Sequence, residues 1–175
     1  MAKKLAIALA AVAAAILGYA ATKPDSFRVQ RSASINAAPE KIAADISDFH
    51  GWSDWSTWEK MDPGMKRTYS GAASGKGAIY EWDGNKDIGK GRMEILEATP
   101  SKVTIMLDFI KPMAGHSIAE FTLVSKGDST EVTWAMHGPQ PYIGKLISVF
   151  CNMDKMIGKE FEAGLANLKS IAEKR

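Results

Sequence analysis

Two hydrophobic periods divide this chain. From Met61 to His137 apolar and polar residues alternate, the period of half-buried strands. The alternating segments are Met65–Gly71, Gly77–Trp82, Ile88–Ala98, Lys102–Ile110, Gly115–Ser125 and Thr130–His137. Turns separate them at Ser74-Gly75-Lys76, Asp83-Gly84-Asn85-Lys86, Thr99-Pro100-Ser101 and Lys126-Gly127-Asp128. Connections this short predict antiparallel neighbours. After Pro141 the period changes. Ile143, Ile147, Phe150, Ile157, Phe161, Leu165 and Leu168 recur at steps of three, four and seven, which keeps them on one helical face. The spacing predicts a single helix from Pro141 to Ala172, about 30 residues and roughly 45 Å long. A helix of that length needs a broad sheet to cover it, and a curved sheet gripping it would leave a hollow between them.

Ahead of the meander, Phe27, Val29, Ala33 and Ile35 alternate with Arg28, Gln30, Ser32 and Ser34 as a first strand. Pro39 and Glu40 suit the first turn of a helix whose apolar side is Ile42, Ala43 and Ile46. Phe49, Trp52, Trp55 and Trp58 follow at three-residue spacing, which predicts a second short helix or a series of tight turns. The predicted order is strand, two short helices, six strands and a long helix.

Residues 1–24 stand apart from the domain at 25–175. Lys3 and Lys4 precede an uncharged, alanine-rich stretch running to Ala21. This is the pattern of an export signal, with Gly18-Tyr19-Ala20 as a small-x-small cleavage site. It is also 17 apolar residues from Leu5 to Ala21, the lower limit for a retained membrane anchor. Both readings stay open, and both send the domain across the membrane with Lys3 and Lys4 left on the cytoplasmic side. The expected location is therefore exported, on the extracytoplasmic or periplasmic side, with the N-terminal segment as the membrane partner.

Nearly half of the 175 residues are apolar and the net charge is only +2, a globular balance. Lysines and arginines are scattered among acidic residues with no basic stripe, which excludes nucleic acid as the expected partner. Cys151, the lone cysteine, permits no internal disulfide. His50, His116 and His137 fall in different elements, so no metal site is expected, and no residue pattern calls for a cofactor. No G-x-S-x-G or H-E-x-x-H motif is present.

Alternation selects the side chains that would meet the helix. Tyr80, Trp82, Met93 and Ile95 share one face with Val103, Ile105, Leu107 and Phe109. Ala119, Phe121, Leu123, Val132, Trp134 and Met136 complete it. Most of these belong to an ordinary core, and the wide middle of the sheet is where large residues would line a void. Asp154 stands out, because it falls close to the apolar stripe of the helix and needs a partner or a proton if buried. A salt bridge at the stripe's edge is the plainer reading. A ligand-binding or acid/base role is the functional one.

Four stretches carry a family resemblance: the Phe49–Trp58 aromatic run, Lys66–Gly71, Tyr80–Asn85 and Asn152–Met156. With the element order, they resemble the SRPBCC superfamily, the helix-grip proteins that include START lipid-transfer domains and pollen-allergen-type proteins. The similarity is to its exported bacterial polyketide cyclase/dehydrase-like branch. The resemblance implies an α+β fold with a seven-stranded antiparallel curved sheet wrapped around the long C-terminal helix, enclosing an apolar cavity. The scaffold hosts carriers, receptors, cyclases and chaperone partners alike, so the fold does not choose the ligand.

The expected function is to bind or carry a lipid or other hydrophobic small molecule between sheet and helix. The expected ligand-binding residues on the sheet are Tyr80, Trp82, Met93, Leu107, Phe109, Phe121 and Trp134. Phe150, Asp154, Ile157 and Phe161 contribute from the helix, and Trp52, Trp55 and Trp58 would gate the cavity or, for at least two of them, simply pack at the base of the sheet. A cyclase- or dehydratase-like enzyme using Asp154 or Tyr80 as acid/base groups is the second reading. A closed-core module recognising envelope proteins is the third.

Overall fold

The computed structural model describes residues 1–174; Arg175, the last residue of the expected domain, lies outside them. A helix, α1 (Ala2–Ala21), precedes β1 (Ser26–Ile35) and α2 (Pro39–Ser47). The aromatic run folds into a 3-10 turn at Phe49–Gly51 and two single-turn helices, α3 (Trp52–Trp55) and α4 (Trp58–Met61). Six strands follow: β2 (Lys66–Gly71), β3 (Ala78–Asp83), β4 (Lys90–Thr99), β5 (Lys102–Lys111), β6 (Gly115–Lys126) and β7 (Ser129–Pro139). The chain ends with α5 (Tyr142–Phe150) and α6 (Met153–Ala172).

The seven strands form one antiparallel sheet in the order β1-β7-β6-β5-β4-β3-β2. Consecutive hairpins build the β2–β7 meander, and β1 closes the row beside β7, leaving β1 and β2 as the edges. Irregular pairing in β4, between Ile95 and Glu97, adds a kink that curves the sheet. The concave face is the apolar one read from the alternation. Ile95, Val103, Ile105, Phe121, Leu123, Val132 and Trp134 are all buried there. The seven-stranded sheet, the order of elements and the C-terminal helix gripped by the sheet match the expected α+β helix-grip architecture.

α6 settles into this face through Phe161, Leu165 and Leu168, all buried. The Trp134 indole stacks on Phe161 with ring centres 4.1 Å apart and on Phe121 at 4.8 Å. Gly164 makes this possible: a Cβ there would lie 2.9 Å from the Trp134 ring.

The C-terminal helix departs from expectation in one respect. It is not continuous from Pro141 to Ala172 but breaks at Cys151–Asn152, where the backbone is extended. The Asn152 side chain accepts a hydrogen bond from the Lys155 backbone N–H at 2.9 Å, and Asp154 occupies the first turn. These are the signals of a helix start. The apolar steps pass through the break unchanged, which is why periodicity alone predicts one helix. The consequence is spatial: α6 covers the sheet, while α5 leaves it and packs beside α1.

Candidate functional site

Exposure along the concave face is graded, and the gradient locates the site. At the end near α2 the inward side chains are sealed, with Ile95, Val103, Ile105 and Phe121 at 0%. At the opposite end, where α5 has turned away, Trp82, Met93, Leu107, Ser117 and Met136 each retain 7–9% exposure. Phe27 and Phe109 are only half-buried there. The face opens at this end. Small residues widen the opening: Ser117 lies opposite Leu107, and Ala119 opposite Met136. Beside it, Phe27 and Val29 of β1 and the α5–α6 junction flank an open cleft of about 520 Å³. Val29 pairs with Met136 across the β1–β7 ladder, so the cleft and the open end share one sheet surface.

The expected ligand-binding residues fall into two groups. Tyr80, Trp82, Met93, Leu107 and Phe109 gather at or beside the open end, and Trp82 contacts Tyr80 and Phe109 at ring distances of 6.1 and 6.2 Å. Phe121 and Phe161 instead each stack on Trp134 in the closed half, all three buried. Ile157 is half-buried against the same core. Phe150 is 71% exposed on the outer side of α5, because the helix break turns it away from the sheet; it is not a wall of the interior.

The expected gate is built into the core. Trp52 and Trp55 are buried, and Trp55 meets Trp134 edge-on at 5.5 Å. The Trp52 indole donates to the Ile46 carbonyl at 2.9 Å. Trp58 meets both Trp134 and Phe161 edge-on. Three indoles held by this many faces are packing, not a door.

Asp154 is exposed rather than buried, and its partner comes from the sheet. Both its carboxylate oxygens accept from the Arg31 guanidinium, at 3.1 and 3.0 Å, and Glu162 accepts from Arg31 Nε at 2.6 Å. The guanidinium lies over Gly158, where a Cβ would come within 2.0 Å of it. Hydrogen bonding to Arg31 holds the Asp154 carboxyl below its ordinary range. The sequence does carry a signal for this pair. Arg31 has the inward parity of Val29 and Ala33, so a charge was bound to meet the helix there.

A second polar cluster was not anticipated. Glu59, on α4, is buried, and its carboxylate accepts from Arg67 Nε at 2.7 Å and from the Tyr80 hydroxyl at 2.5 Å. Tyr69 stacks on Tyr80 at 5.2 Å, and His50 stacks on Tyr69 at 4.2 Å. Burial, then the hydrogen bond to Glu59, push the Tyr80 phenol well above the usual tyrosine range. Tyr80 thus stays protonated at neutral pH, its proton given to Glu59, at the edge of the apolar face. Arg67 shares Tyr80's side of the sheet, since Arg67 pairs with Trp82 and Tyr69 with Tyr80.

The histidines do not join either cluster as a set. His50 pairs with Asp48, and His116 pairs with Asp108. Among the described residues no three His, Cys, Asp or Glu side chains converge in a way that could hold a metal ion.

Residues 26–173 match the family described as polyketide cyclase / dehydrase and lipid transport. The chain belongs to that family. No curated protein matches it. Among solved structures it is similar to a START superfamily protein from Mycobacterium smegmatis, with a TM-score of 0.53 and 18% identity over 84% of this chain and 97% of that one. The Aha1 dimer from Colwellia psychrerythraea gives 0.58 and 16% identity over 84% and 96%. The di-domain ARO/CYC StfQ from the steffimycin biosynthetic pathway gives 0.62 and 9% over 86% of this chain and 51% of that one. Identities this low establish the shared fold and leave the ligand to the site. In this member of the polyketide cyclase / dehydrase and lipid transport family, stacked aromatics fill one half of the grip, and the inward side chains of the other half keep slight exposure.

Proposed function

We propose that this protein binds or carries a lipid or other hydrophobic small molecule at the open end of its concave face, on the outer side of the membrane. One observation supports it most: five inward-facing side chains at that end keep 7–9% exposure, while Ile95, Val103, Ile105 and Phe121 at the other end have none. An apolar ligand seated against Trp82, Met93, Leu107 and Met136 would gain about 25 cal/mol for each Å² withdrawn from water. The Tyr80 oxygen, its proton committed to Glu59, would orient a polar head as an acceptor. The family description, which includes lipid transport, is consistent with this reading. The N-terminal helix would keep the domain at the bilayer, as an uncleaved anchor.

The test is displacement of a fluorescent acyl-chain probe from the full-length protein in detergent or nanodiscs. Saturable binding that a Leu107→Trp variant weakens at least tenfold supports the reading. Binding that is unsaturable, or untouched by narrowing the mouth, overturns it.

A second reading has one observation behind it. Tyr80 and Glu59 form a hydrogen-bonded acid/base pair beside the same surface, the geometry a cyclase- or dehydratase-like step would need. Arg67 holds the other Glu59 oxygen, which equally suits a structural pair. Turnover of a polyketide-like substrate that Tyr80→Phe abolishes, with folding intact, would favour catalysis over carriage.

A further inference from the structure

Three observations concern the side of the molecule that carries α1 and α5. The first is the surface of α1. Leu5, Ile7, Leu9, Val12 and Leu17 are exposed, mean hydropathy over its most apolar window is 2.0, and 20 residues reach about 30 Å, the depth of bilayer hydrocarbon. The second is its junction with the domain. The last turns of α1 lie alongside α5, where the Tyr142 hydroxyl donates to the Leu17 carbonyl at 2.9 Å and Ala20 is fully buried. The third is the polarity of α5 itself. Lys145 is its one charged residue, and it is turned inward, buried and hydrogen-bonded to Asp25 at 2.5 Å. The outward side presents Tyr142, Ile143 and Phe150, and Met153 and Met156 continue it into α6.

We propose that α5 is an interfacial helix, lying in the same bilayer leaflet that α1 leaves, so that the cleft mouth opens onto lipid instead of water. The argument is continuity. Hydrocarbon must cover the exposed sides of α1, and α5 packs directly against the last turns of that helix with its uncharged side outward. An uncharged helix face rich in Tyr, Ile and Phe belongs at the boundary between headgroups and acyl chains. Lys23 marks the level of that boundary: its ammonium sits 4.7 Å over the Tyr19 ring, and its side chain also lines the cleft. Phe150 and Met153 line the same cleft from the α5–α6 junction. A ligand therefore passes between leaflet and concave face through a cleft of mixed lining, its acyl part against Phe27, Val29 and Phe150 and its polar part beside Lys23, Arg28 and Asp154. This inference rests on the anchor being retained, as proposed above.

The lone cysteine supplies the test. Full-length protein is reconstituted in phosphatidylcholine–phosphatidylglycerol vesicles and labelled with an environment-sensitive fluorophore at one site at a time. The sites are native Cys151, then Ile143→Cys and Ser129→Cys, each in a Cys151→Ser background. Ile143 is exposed and outside the cleft lining, and Ser129 is the first residue of β7, at the sealed end. Lipids carrying a nitroxide near the top of the acyl chain quench whatever they touch. The expected result is several-fold stronger quenching at position 143 than at 129. Quenching at Cys151 without quenching at 143 means that lipid fills the cleft while α5 faces water; this overturns the inference and leaves the ligand reading standing. Quenching at neither, with the protein still vesicle-bound, overturns it in favour of α1 alone or of a second protein covering α5. Quenching at 143 from protein that binds no acyl probe supports the interfacial helix and removes the ligand reading.

Discussion

Arg31 grips Asp154 with two parallel hydrogen bonds, reaching from the concave face of β1 to the first turn of α6. The pair fixes where α6 begins on the sheet, and Gly158 supplies the flat surface across which the guanidinium extends to Glu162. Because the Arg31 hydrogen bonds lower the Asp154 pKa, its contribution is present above the unfolded carboxylate value and is lost as pH falls through the folded one. Asp154→Asn should therefore lower the urea midpoint slightly at neutral pH, with the gap from wild type closing below about pH 4. A gap that stays constant down to about pH 3 contradicts this assignment.

Trp134 depends on the missing side chain at Gly164. Phe121, Phe161 and Trp55 surround the indole, so it has nowhere to move when a branched residue is added. Gly164→Val should destabilise the fold by about 2 kcal/mol, the cost of overpacking exceeding any helix-propensity gain. Denaturant unfolding measures this, and near-UV circular dichroism should weaken as the aromatic stack is disturbed. A stabilised variant would mean the stack is looser than described.

The Glu59 cluster predicts an asymmetric response. Glu59→Ala strands the partly buried Arg67 guanidinium and the Tyr80 hydroxyl together, at a cost of about 3 kcal/mol. Tyr80→Phe removes one hydrogen bond and should cost about 1 kcal/mol. Their pH behaviour separates them further. A phenol whose folded pKa is raised contributes stability that is full below the unfolded value and declines above about pH 10. Wild type should lose stability with that alkaline slope, and Tyr80→Phe should flatten it. An unchanged slope in the variant would assign the alkaline loss to other groups.

The sheet was legible because strand alternation and turn residues agree at four hairpins, from Gly75 to Asp128, and alternation alone separates β5 from β6. The inward face followed from parity alone, and its apolar members are buried or half-buried as expected. Two kinds of information were hidden. Asn152 starts a new helix inside an apolar pattern that never falters, so Phe150 reads as interior although the break swings it to the surface. Glu59 lies in a single helical turn between Trp58 and Lys60, too short for any period to reveal that its carboxylate turns inward. Arg31 sits between these cases, visible by parity once β1 is placed. The tryptophans were legible as aromatic mass with packing among their readings, and the stacking on Trp134 places all three in the core.

The central claim is that the open end of the concave face holds a hydrophobic molecule. Native mass spectrometry with lipid extraction, applied to full-length wild type and Leu107→Trp purified from membranes in parallel, tests it most directly. Wild type should carry a lipid-mass adduct that is absent or greatly reduced on the variant. Equal adducts on both proteins, or none on either even after incubation with excess lipid, would contradict it.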